Sequence, residues 1–122
     1  MDDEMSVNLV VVQGECATAP ELRELDSGRR LAGLAVRVRP DGGRSTWVPV
    51  TVWEPPPWVE RLAGGEALVV VGTVRRTFFA AAGGGRGQRV DVEAAFVGRA
   101  GQRRARAAAR RRVQAVLERL TG

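Results

Sequence analysis

"STWVPVTVWEPPPW", residues 45 to 58, holds all three tryptophans of a 122-residue chain whose only other aromatics are three phenylalanines. Alternation over residues 46 to 53 predicts a strand that sends Val48, Val50 and Val52 to one face and Trp47, Pro49, Thr51 and Trp53 to the other. A valine row suits a core. Two large rings on the opposite face need a reason to stand outside.

The prolines that follow change the period. Proline opens helices but does not sit inside them, and Trp58 and Leu62 lie four apart before Gly64 and Gly65. "EPPPWVERLAGG" therefore predicts a short helix of about two turns with Trp58 plugging a core.

Working outward, four more strands separate at turn signals. "SVNLVVVQG" (6 to 14) is apolar on both faces and reads as a central or interface strand. "RLAGLAVRVR" (30 to 39) runs into "PDGG", which reverses the chain into the tryptophan strand. "ALVVVGTVRRTFF" (67 to 79) is long, with Gly72 placed for a bulge or corner and Val70 and Val74 assigned inward. After the glycine-rich tip "AAAGGGRGQ", "RVDVEAAFV" (89 to 97) alternates, with Val90, Val92, Ala94 and Phe96 on one side and Arg89, Asp91 and Glu93 on the other.

Three strands, a short helix and two strands in under about a hundred residues fit an all-β, five-stranded Greek-key barrel with a helix between strands three and four, the OB-fold, whose exposed sheet face and loops bind oligonucleotides. The expected division is 1–98 for the barrel and 99–122 for an arginine-rich C-terminal helix. In that segment Ala109, Val113, Val116, Leu117 and Leu120 recur at helical spacing among six arginines from Arg103 to Arg112. One face of this helix is expected to pack and the other to stay open to nucleic acid.

Composition narrows the chemistry. With no histidine and one cysteine, Cys16, the chain has no intrachain disulfide, no histidine acid–base pair and almost no route to a zinc site. Cys16 reads as a small filler near a strand end. Asp91 and Glu93 are too few carboxylates for a metal nuclease, so the expectation is a non-enzyme without cofactor or metal. No apolar run approaches a membrane span, and "MDDEMSV" is not a leader, which predicts a cytoplasmic protein with no membrane partner.

Charge is divided unevenly. Residues 1 to 60 carry six arginines against ten acids, and residues 61 to 122 thirteen against four. There is no lysine, for which the codon bias of a GC-rich genome is one account. A basic half with a sequence pI near 11.3 fits a polyanion.

In the predicted barrel Trp47 and Trp53 face outward, joined by Arg75, Thr77 and Phe79 of the fourth strand. Flat rings beside guanidiniums suit single-stranded nucleic acid: bases stack at about 1 to 3 kcal/mol each regardless of identity, and arginines neutralise phosphates. Arg37, Arg39, Arg44, Arg86 and Arg89 extend the groove in this reading. The competing reading makes the same fold a protein-interaction or assembly module with its aromatics buried in an interface.

Five pieces in order, "VNLVVVQG", "APELREL" with "SGRRLAGLAV", "TWVPVTVW" and "GEALVVVGTVRRTFF", resemble the bacterial single-stranded DNA-binding protein family over roughly residues 6 to 98. The resemblance implies binding of single-stranded DNA in replication, repair or recombination, a homotetramer or dimer paired through the first strand, and a place with the bacterial nucleoid. It puts Trp47, Trp53 and Phe79 on base-stacking positions and Arg75 on a basic one. Three departures stand out. Arg39 and Pro40 replace a further stacking position, "EPPPW" shortens the helix, and the family's disordered tail with an acidic tip gives way to a basic helix. Recruitment of partners through such a tip is not expected, which suggests a specialised paralogue.

Overall fold

The structure is a computed structural model that describes residues 6–80 and 82–120. The leader reading of residues 1 to 5 lies outside the described residues. Along the chain run β1 (Val10–Cys16), β2 (Glu21–Glu24), β3 (Arg30–Val38), β4 (Thr46–Trp53), α1 (Pro57–Glu60), β5 (Ala67–Ala80), β6 (Arg86–Arg99) and α2 (Arg103–Leu117). No helix among the described residues is long and apolar enough to cross a membrane.

The strands form one sheet in the order β1-β5-β6-β4-β3-β2, and an additional β1–β3 pairing closes it. β1 lies antiparallel to β5 from Val10↔Gly72 to Glu15↔Ala67, then touches β3 through Glu15↔Arg37 and Cys16↔Val36. Among the described residues the only parallel contact is β4 with β6, at Val50↔Val92 and Thr51↔Glu93. Pro49 sits just before that short ladder, where its missing N–H removes no bond to β6. This is the all-β OB-fold barrel, with α1 between its third and fourth barrel strands. Its interior holds Val12, Val36, Val50, Val52, Leu68, Val70 and Val92.

The tryptophan strand spans residues 46 to 53 as read, with Val50 and Val52 buried and Trp47 exposed. Gly72 marks the register shift of the β5–β6 ladder. A Cβ there would stand 2.2 Å from the Glu93 carbonyl oxygen, so only glycine permits the approach.

The same irregularity overturns part of the reading of β6. Val71 pairs with Phe96 but Gly72 with Ala94, which leaves Ala95 as the extra residue. Alternation breaks there: Val97 joins the barrel core, while Phe96 packs on the opposite side with Val69, Val71 and Ala109.

Other elements also differ from expectation. β2, "ELRE", pairs with β3 from Glu21↔Gly33 to Glu24↔Arg30. All four of its residues are exposed, so no apolar pattern marked it. α1 is a single turn, because three consecutive prolines delay its start. Trp58 is half-buried against the barrel core. Val74 lies beyond the barrel wall and is exposed, whereas Val70 is buried. β6 starts at Arg86, not 89, since Phe78 to Ala80 find partners in Arg86 to Gln88 and lengthen the hairpin into an arm.

Helix α2 lies on the outer face of β5 and β6 through Ala105, Ala109 and Val113. Alanines let a helix sit close. Leu117 and Leu120 at the end of the expected stripe stay exposed, since the helix has run past the sheet residues its earlier turns cover. Cys16 is fully buried at the end of β1, where its Sγ donates to the Thr18 carbonyl at 3.0 Å, and burial pushes its thiol up.

Candidate nucleic-acid interface

The register of β3 with β4 builds a groove. Trp47 pairs with Arg37, Pro49 with Ala35, Thr51 with Gly33 and Trp53 with Leu31, all on the outer face. Between the two tryptophans the floor is therefore small: Gly33, Ala35, Pro49 and Thr51. Six residues of extended chain separate the rings by about 20 Å. A cavity of about 270 Å³ lies over this floor, with Arg89 and Asp91 of β6 on one side and Glu21 and Arg23 of β2 on the other. A Cβ on Gly33 would meet nothing closer than 3.8 Å, so the glycine is kept by no packing need and its hydrogen leaves the groove open.

The two rings differ in what holds them. Trp47 is 56% exposed, with the Arg37 guanidinium 6.0 Å from its centroid and Arg37 itself paired to Glu15. Trp53 is half-buried: its Nε1 donates to Glu93 Oε2 at 2.8 Å, and Arg29 lies over its ring at 4.0 Å. Trp47 is thus a free platform, and Trp53 a braced one.

Arg75 stands on this face but is heavily engaged. Its Nε and Nη2 donate to Asp91 at 3.1 and 3.0 Å, and its Nη1 to Glu93 at 3.1 Å. Thr51 adds its hydroxyl to Asp91 at 2.6 Å. Burial, the largest single influence on Asp91, acts to raise its carboxyl, but the bonds from Arg75 and Thr51 and the charges of Arg75 and Arg89 together hold it below the ordinary carboxylate range. Guanidinium, hydroxyl and two carboxylates form one wall running to Trp53. Arg75 positions that wall.

The arm divides the remaining residues. Thr77↔Arg89 and Phe79↔Gly87 continue the face of Arg75↔Asp91, so Arg89 and Phe79 stand with the tryptophans. The Phe79 ring lies across Gly87, where a Cβ would come within 2.4 Å of it. Ala80↔Arg86 puts Arg86 on the other face, because it is one residue out of phase. Arg39 and Arg44 are exposed in the connection between β3 and β4, at the Trp47 end, with Arg39 Nε 3.4 Å from Ser45 Oγ.

Two residues beside the groove and one on the far face of the arm escaped the sequence reading. Arg29 and Arg23 belong to the β2–β3 hairpin, whose first strand carries no apolar alternation. Phe78 is 71% exposed on the far side of the arm, in a row with Val74 and Val90. The doubled "FF" required one ring on each face.

No protein-family model matches the chain, and no curated protein matches it. Among solved structures the chain is similar to the crystal structure of wild-type single-stranded DNA binding protein from Thermus aquaticus. Identity is 24% and the TM-score 0.63, over 76% of this chain and 40% of that one. A deletion mutant of the same protein matches with 26% identity, the same TM-score and the same coverage. The chain spans about two fifths of the length of these structures. The likeness shows the shared fold.

Proposed function

We propose that this chain is a non-catalytic protein that binds single-stranded DNA with little sequence preference. The observation that carries the reading is the small-residue groove between Trp47 and Trp53, on the strand pair and between the loops through which OB-folds hold oligonucleotides. The structural neighbours, single-stranded DNA binding proteins of the same fold, support it. Bases stack on Trp47, Trp53 and Phe79, whose π-faces accept any base, and Arg37, Arg39, Arg44 and Arg89 neutralise phosphates. Arg86 joins them where the strand crosses the arm, and Arg75 orders Asp91, Glu93 and Trp53. A base entering between Arg29 and Trp53 is stacked on both sides.

Binding is an equilibrium: the protein shields exposed strands and melts their secondary structure by mass action. In this reading it works as a homo-oligomer, tetramer or dimer, in DNA replication, repair or recombination in the bacterial cytoplasm at the nucleoid. The barrel (1–98) carries the stacking groove, and the arginine-rich helix (99–122) packs on it by one face.

Intrinsic tryptophan fluorescence tests the proposal. Titration with oligo-dT should quench emission, more weakly at high salt, and a matched duplex should not. Absence of quenching by either would overturn it. The second reading, a protein-interaction module, is favoured by one observation, the exposed row of Val74, Phe78 and Val90 on the far face of the arm. Loss of self-association in Phe78→Ser with dT binding intact would assign that row to an interface.

A further inference from the structure

A further opening lies beside Trp53. A cavity of about 220 Å³ bounded by Trp53, Pro56 and the segment from Ala94 to Val97 adjoins that ring. It shares Phe96 and Val97 with a second cavity of about 480 Å³, walled by Trp58 and Arg99 on one side and by Arg104 and Arg111 of α2 on the other. Phe96 is there because the extra residue Ala95 turns it out of the barrel. Arg104 and Arg111 are seven residues apart, about 10 Å along one helix face. Both are exposed, and among the described residues neither forms an ion pair, whereas Arg99 is paired to Glu66.

We infer that this passage is a second segment of the binding track, in which nucleotides flanking those on the barrel cross Phe96 and Trp58 and give their phosphates to Arg104 and Arg111. The inference rests on the proposed function. Two features favour a single strand there. The passage begins at Trp53, the ring at the end of the groove, and its rim joins apolar rings to unpaired guanidiniums, the pairing that accepts a base on one side and a phosphate on the other. A duplex cannot follow a path that turns from a sheet face into a cleft between two helices.

The test compares Arg104→Ala/Arg111→Ala with Arg103→Ala/Arg110→Ala, which removes equal charge from parts of α2 outside this passage. Each full-length variant and the parent are titrated across salt with a dT strand of about six nucleotides and one of about sixteen, the span of OB-fold site sizes. With the longer strand, loss of Arg104 and Arg111 should make log K against log salt shallower by about 1.4 and weaken binding severalfold. Six-nucleotide binding, and both strands with the control variant, should stay within about twofold of the parent, as two phosphate contacts alone are at issue. Equal losses in the two variants, or none in either, would overturn the inference while parental quenching by the short strand preserves the barrel groove. A parent that binds neither strand would overturn both.

Discussion

Arg75 holds both oxygens of Asp91, through Nε at 3.1 Å and Nη2 at 3.0 Å, while Asp91 is only 4% exposed. A buried carboxylate without its partner is among the costlier defects a fold can carry. Arg75→Ala should lower stability by about 3 kcal/mol, the lower end for breaking such a pair, because Arg75 itself keeps some contact with water. Arg75→Lys should fall between, since one ammonium cannot serve Asp91 and Glu93 together. Urea denaturation measures both, and a loss under about 1 kcal/mol would mean that water, not Arg75, satisfies Asp91.

The same pair sets an acid response. The folded Asp91 carboxyl lies below its unfolded value, so its stabilisation is complete above the ordinary aspartate range and is lost as pH falls toward the lower folded value. The unfolded chain takes up that proton first. Glu66 and Glu15 are lowered too, Glu66 chiefly by the Ala63 N–H and Glu15 chiefly by its bond from Arg37, and act in the same direction. Unfolding free energy should be nearly level from neutral pH to about pH 5 and fall below about pH 4. Asp91→Asn should flatten part of that fall, and an unchanged slope would remove Asp91 from the response.

How far the sequence could be read follows from which forces act locally. β4 was legible to the residue because one row of valines met a core and the other did not. The two rings were placed by the same alternation. β2 was not legible, since its pairing satisfies the edge of β3 and buries none of its side chains. Phe96 was assigned to the wrong side because a single extra residue at Ala95 inverts every later side chain, and the signal for it, Gly72, lies on the neighbouring strand. The engagement of Arg75 was hidden for a related reason: Asp91 and Glu93 looked like solvent-facing alternation, and only the barrel's curvature turns them against Thr51 and Trp53. α2 declared its alanines and arginines but not its height on the sheet, which depends on how closely Ala105 and Ala109 approach.

Trp47 and Trp53 should separate binding from folding. Trp47→Ala removes a largely exposed ring, so stability should change by less than about 0.5 kcal/mol while dT affinity falls by about 1 to 3 kcal/mol. Trp53→Ala also removes one of the two bonds to Glu93 and the ring beneath Arg29, so it should lose both stability and affinity. Trp53→Phe keeps a stacking face without the Nε1 donor and should recover most of the affinity and less of the stability. Equal dT affinity in folded Trp47→Ala would take that ring out of the site.

Gly33 offers the most direct check of the strand's path. It pairs with Thr51 midway between the tryptophans, its backbone is free of a positive φ, and a Cβ there meets only Glu21 at ordinary contact distance. Gly33→Val should therefore fold, with stability equal to the parent or higher by about 0.5 to 1 kcal/mol, since glycine is a poor strand residue. Its methyls would stand in the cavity that Ala35, Pro49 and Thr51 leave open. If bases lie along that floor, dT binding should weaken by about one stacked base, 1 to 3 kcal/mol, while Trp47 and Trp53 keep their parental emission without DNA. Full affinity in Gly33→Val would mean that the strand bridges from ring to ring without touching the floor, and that the tryptophans act as separate posts.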